Sequence, residues 1–229
     1  MFQSMRKAVR EGVEKTWQTI ASHGESGDKP WDHENNLYKR DIMMHSVHLA
    51  EYADAETKAE ALRKIGHLAY TGGPEAAKYA GSFTETLVNI LTKPDNAQQI
   101  PLKVQVLRSL SEIIRGHRDN LEKARLLGLL DILTNFIREG ENPRLGRWSC
   151  YILVFMCTTS MMCLKHMIKG PAGEEEDFMD DALKVLEKHS WNGWPKNYAS
   201  LLMEVLGFRE RQDRIDPRLL AGFNPGLMG

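Results

Sequence analysis

Little in this sequence points to a reaction. It has no glycine-rich phosphate loop, no H-E-x-x-H, no G-x-S-x-G and no C-x-x-C, the spacings by which backbone amides, zinc ligands, nucleophiles and redox thiols are usually assembled. Cysteine is scarce: only Cys150, Cys157 and Cys163 occur, an odd number within one short stretch. On a single straight helix the closest pair, Cys157 and Cys163, would stand about 9 Å apart along the axis. A disulfide tolerates about 7 Å, so the pair is not bridgeable unless a turn intervenes. Reduced thiols imply the cytoplasm or nucleus. An excess of charge of one sign is also lacking. The 30 basic residues are balanced by 31 acidic ones, whereas a nucleic-acid binder carries a basic excess to neutralise phosphates. Met1–Ile20 holds Glu11 and Glu14 and no continuous apolar core, which argues against a signal peptide. No alternating apolar pattern flanks a hairpin turn anywhere, so strands are not expected.

What is present is helical periodicity. Apolar residues make up 42% of the 229 residues and charged residues 27%, which excludes a disordered chain and suits one or two domains. Phe2, Met5, Val9, Val13, Trp17 and Ile20 recur at steps of three and four, one face of a helix. Further helices are expected over 32–53, 58–70, 83–91 and 102–115. Two short ones should meet near Gly128, one apolar segment should run from Pro143 to Met167, and two more should cover 174–188 and 198–208. Pro74, Pro101 and Pro143 stand where a helix begins, and Gly72-Gly73 and Gly116 where one ends. The fold class is all-α.

The helices also repeat. Ile65-Gly66-His67-Leu68-Ala69 aligns with Leu110-Ser111-Glu112-Ile113-Ile114 and with Leu202-Met203-Glu204-Val205-Leu206. The spacing then places an intervening unit near residue 158, within the apolar stretch 147–160. Gly81-Ser82-Phe83 leads to Leu87-Val88 and Ile90-Leu91 much as Gly128-Leu129-Leu130 leads to Leu133 and Phe136-Ile137. A period of roughly 40–47 residues with two or three helices is that of HEAT and armadillo units. Each unit has an apolar stripe that only stacking on a neighbour can bury.

On these residues the chain resembles armadillo repeats. Leu110–Ile114 is similar to their "ALSNIA" segment and Gly128–Ile137 to their "GAIPALVELL" segment. The likeness covers about residues 55–208, is good in two units and is poor in the third, where no matching glycine follows Ser160. Among such proteins the chain most resembles the small ones called armadillo-like helical domain-containing. The resemblance implies a short right-handed α-solenoid of three to four units. Residues 1–53 would form an N-terminal helical cap, 54–208 the repeats, and 209–229 a tail that frays. It also implies a non-catalytic interaction or scaffold module without a cofactor, binding a protein partner through its groove. The Trp/Asn ladder of peptide-binding armadillo proteins is not matched: the Asn positions hold His67, Glu112 and Glu204, and the Trp positions hold Arg63, Arg108 and Ser200.

The candidate contact residues are therefore Arg63, His67, Arg108, Glu112 and Glu204. Arg63 and Arg108, one unit apart, could face an acidic partner together, or Arg108 could pair with Glu112 on its own helix. Trp191 and Trp194, with Tyr198, form an aromatic cluster that either covers the end of the solenoid or holds a partner. Trp148–Leu164 contains 17 residues without a charge, bounded by Arg147 and Lys165. A membrane span needs about 20 residues, and Thr158-Thr159-Ser160 sits where the repeat requires a turn. Two core helices are the expected reading, and a single-pass membrane anchor over 148–164 is the alternative. Cys163 and His166, with Cys157 nearby, lack the four ligands and tight cysteine pair of a zinc site. His45 and His48 lack a third ligand. The acidic run of Glu174–Asp177 with Asp180 and Asp181 lacks the spacing of a calcium loop, and it suits the first turn of a helix.

Overall fold

The structure, a computed structural model, describes residues 32–49, 53–94, 99–169 and 175–208. Among them are eleven α-helices and no strand. Helix α1 (Asp32–Ser46) ends in a 3-10 turn (Val47–Leu49). Helices α2 (Ala55–Thr71), α3 (Gly73–Ala80) and α4 (Thr84–Leu91) follow, with a 3-10 turn, Gly81–Phe83, between the last two. Then come α5 (Gln99–Gly116), α6 (Arg118–Leu126) and α7 (Leu129–Glu139). A third set is α8 (Pro143–Thr159), α9 (Met161–Lys169) and α10 (Glu175–Lys188), and α11 (Tyr198–Val205) closes the series. The predicted helix over 2–20, the proposed tail 209–229 and the predicted break at Gly170–Gly173 lie outside the described residues.

Local chemistry sets the boundaries. The Asp54 carboxylate accepts from the Thr57 backbone N–H at 2.7 Å and caps α2, satisfying a donor that has no partner within the helix. Pro74 sits in the first turn of α3. Gly128 adopts φ 78° between α6 and α7, a left-handed turn that a Cβ would strain. The Asn142 side chain accepts from the N–H groups of Arg144 and Leu145 at the start of α8. Ser160 is extended and separates α8 from α9, and the two helices are bent by 119° at that point.

The long helices α2, α5 and α8 begin at residues 55, 99 and 143, 44 apart each time. Each is followed by two shorter helices, and α2 packs on α5, α5 on α8, and α8 on α11. They form one layer of an armadillo-like stack, with the shorter helices behind it. A continuous core runs through the layers and includes Leu62, Ile65, Leu107, Leu110, Leu133 and Leu153, all fully buried. The described part of the expected cap, α1, packs on α2 and α3.

The third unit departs from its expected register. The sequence spacing centres it near residue 158, yet its long helix ends at Thr159. An even spacing fails because segment 189–197 forms an extra loop before α11, so the last helix starts late. The missing glycine also has an explanation. Gly81 and Gly128 separate the two short helices of their units, and the corresponding junction in the third unit lies beyond α9, not after Ser160.

The uncharged stretch 148–164 is divided between α8 and α9. In α8, Ser149, Cys150, Ile152, Leu153, Met156 and Cys157 are buried against the neighbouring helices. No single helix among the described residues is long and apolar enough to cross a membrane; α8 with Met161–Ile168 passes only as the bent pair. The three cysteines are free and buried despite the turn between Cys157 and Cys163. Burial pushes the Cys157 thiol up to about 12 and raises Cys163 as well, which suppresses the reactive thiolate.

Candidate functional site: an aromatic groove along the long helices

The four helices of the long layer do not meet equally closely. Between α2 and α5 the contact is tight. A Cβ added to Gly66 would lie 3.0 Å from Ser109 Cα and 2.2 Å from Glu112 Oε2. The Ser109 hydroxyl, fully buried, donates to the Leu62 carbonyl at 2.8 Å across the seam. Between α5, α8 and α11 the side chains are large and the surface opens. One groove of about 570 Å³ runs over α8 and the start of α11. A second of about 350 Å³ adjoins it on α5 and reaches Tyr70 of α2. Arg115, Trp148 and Tyr151 belong to both, so the two are continuous.

The wall of the larger groove is a packed set of rings. Trp148 lies 4.8 Å from Trp194 between ring centroids, and Tyr151 lies 5.0 Å from Tyr198, both edge to face. Trp191 backs Trp194 at 5.8 Å. Such pairs contribute about 0.5–1.5 kcal/mol each beyond the area they bury. The loop that delivers Trp194 is fixed at both ends. Trp191 Nε1 donates to the Leu186 carbonyl at 3.2 Å, and Asn197 Nδ2 donates to the Glu187 carbonyl at 2.9 Å. Asn197 Oδ1 also caps α11 by accepting from Ser200 N–H. Gly193, at φ 82°, makes the turn between these anchors.

Arg115 marks the junction of the two grooves. Its guanidinium stands 6.0 Å from the ring centroids of Tyr70 and Tyr151 and 5.7 Å from that of Phe155. It donates to the Tyr151 hydroxyl. Two turns earlier, Arg108 Nε lies 3.7 Å from Glu112 Oε1. Burial raises the Glu112 carboxyl above its ordinary value, and the positive charges of Arg108 and His67 pull it part of the way back.

The sequence candidates are thus distributed unevenly. Arg108, Glu112 and Trp194 line the grooves. Trp191 stands behind Trp194. His67 is exposed on α2 and close enough to Glu112 to act on its charge. Arg63 is exposed and bound to Glu60 through two hydrogen bonds of 2.8 Å, a contact that holds the Glu60 carboxyl down to about 2. Glu204 is exposed in the last turn of α11 and is not part of either groove wall. The residues not singled out from the sequence are Tyr70, Arg115, Trp148, Tyr151 and Phe155. Their signal is an aromatic edge on α8, with Trp148, Tyr151 and Phe155 at steps of three and four. It is hidden in a stretch whose remaining residues are core.

Other candidate clusters have structural partners. His166 Nε2 lies 2.8 Å from Asp131 Oδ1, joining α9 to α7. Asp180 and Asp181 both contact Lys184 within α10. Burial, followed by the charge of Lys64, lowers His45 from its ordinary value. Among the described residues no three His, Cys, Asp or Glu side chains stand together as a metal site would require.

Residues 30–210 match the family described as armadillo-like helical domain-containing protein 2. No curated protein and no solved structure gives a significant match. The matched region contains all the long helices and both grooves, and on the strength of that match the chain belongs to the armadillo-like helical domain-containing protein 2 family.

Proposed function

We propose that this chain is a non-catalytic interaction module that holds an extended segment of a protein partner in the groove along α5, α8 and α11. The observation that carries this reading is the open groove of about 570 Å³ walled by Trp148, Tyr151, Phe155, Trp194 and Tyr198. Trp, Tyr and Arg concentrate binding energy at protein contacts, and all three types line this surface. Stacked helical units are well suited to such work because their curvature creates a long concave face. On this reading Arg63, His67 and Glu204, which lie outside the groove walls, would contact only the ends of a longer segment.

The test is selection of a random 12-residue peptide display library on the full chain and on the Trp194→Ala variant. Peptides enriched on the parent should bind the variant at least about tenfold more weakly, the usual scale for an aromatic anchor. Enrichment that is indifferent to Trp194 would reject the groove. A matched far-UV spectrum of the two proteins guards against unfolding as the cause.

A further inference from the structure

The chemistry of the bound segment can be narrowed, provided that the groove is the binding surface. Arg115 is exposed, and its position is defined by three rings on two other helices: Tyr70 on α2, and Tyr151 and Phe155 on α8. Among the described residues it has no carboxylate within ion-pair distance; its only hydrogen bond goes to the Tyr151 hydroxyl. A guanidinium has five N–H donors, so most of them remain available. Ring contacts restrict an otherwise flexible side chain, which lowers the entropy lost when those donors bind a ligand.

The contrast with the neighbouring arginines is informative. Arg63 is occupied by Glu60, Arg125 by Glu122 and Arg108 by Glu112. Arg115 alone of these sits at the meeting point of both grooves and has no carboxylate within ion-pair distance. We propose that Arg115, held among Tyr70, Tyr151 and Phe155, selects partner segments that carry an aspartate or glutamate beside a large apolar residue. The acid would pair with the guanidinium, and the apolar side chain would enter the larger groove against Trp194 and Val154. A single carboxylate fits better than a phosphate. Phosphate recognition draws on clusters of arginine, whereas one guanidinium matches one carboxylate through two parallel hydrogen bonds. The half-buried Glu112 in the adjoining groove further opposes a dianion.

The experiment repeats the library selection on the full chain and on Arg115→Gln, with Arg115→Lys as a second variant. The parent should enrich peptides with Asp or Glu next to a large apolar residue. On Arg115→Gln the apolar preference should persist, while binding of the acidic peptides falls at least about tenfold, the scale of a charge-assisted hydrogen bond. Arg115→Lys should recover part of it, because charge returns without the planar fork. Binding that depends on Trp194 but shows no acidic preference would overturn this inference and leave the proposed function standing. Selection of no peptide at all would overturn both. A stronger response to synthetic phosphopeptides or to single-stranded RNA than to the acidic peptides would also overturn it. So would binding confined to a synthetic copy of this chain's own residues 209–229.

Discussion

The α2–α5 seam and the α5–α8 seam use the same arrangement of long helices and reach opposite results. At the first, Gly66 and Ser109 let two backbones approach, and the Ser109 hydroxyl closes the gap by bonding Leu62. At the second, Arg115 of α5 and Trp148 and Tyr151 of α8 line an open surface, and Trp194 and Tyr198 extend their rings into one wall. Side-chain size at the contact decides whether a repeat interface is a sealed joint or a groove. Close packing makes the sealed joint intolerant of added volume, while the groove can lose volume at less cost to the fold.

The largest effect should come from Gly81→Ala, at the tight end of the molecule. A Cβ there would lie 1.8 Å from Asn120 Oδ1. Asn120 cannot easily yield, because its buried amide donates to the carbonyls of Ala77 and Ile113 at 2.7 and 3.1 Å. Overpacking together with the loss of those bonds should cost about 3 kcal/mol, read from urea unfolding. Gly66→Val should cost about 2 kcal/mol by the same measurement: Glu112 can swing away, but the Ser109 backbone cannot. Trp194→Ala, on the open side, should cost only about 1 kcal/mol, the value of one ring contact, because the neighbouring rings of the half-exposed cluster can close over the gap, although it removes the proposed binding. If Trp194→Ala destabilised the chain more than Gly66→Val, the division into sealed and open seams would be wrong.

The smallest effect concerns Glu112, which lies between the two regions. Its folded-state value is raised above the ordinary 4.5, chiefly by burial. The protonated form is therefore the one the fold favours. The associated stability is present in full below about 4.5 and is lost as the pH rises through the raised value. Glu112→Gln mimics the protonated form at every pH. Relative to the parent, the variant should gain stability as the pH rises above about 4.5, a difference measurable as a shift in urea midpoint. The opposite sign would mean that the pairing with Arg108 and His67 outweighs burial.

Much of the fold is legible in the sequence because its signals are local. Pro143 marks the start of α8, Gly128 separates α6 from α7, and Thr158-Thr159-Ser160 contains the bend that divides the uncharged stretch. Each reflects a backbone preference that acts whatever the surroundings. The repeat of Ile65 and Leu110 marks the equivalent core positions of α2 and α5, both fully buried. The pairing of Arg108 with Glu112 is legible too, since both stand on one helix at four-residue spacing.

The groove was not legible in that way. Tyr70, Arg115 and Phe155 are far apart in the chain, and nothing in the local sequence of Tyr70 or Arg115 ties them to the aromatic edge on α8. They meet because α2, α5 and α8 stack at a spacing set by the side chains between them. Trp194 reaches Trp148 because the loop 189–197 is tied to the end of α10 by Trp191 and Asn197. The sequence by itself determined the helices, their breaks and their repeat, since these follow from periodicity and from the backbone constraints of proline and glycine. Only the tertiary structure decided which seam would seal and which would open, because that depends on side-chain volumes meeting across helices distant in sequence.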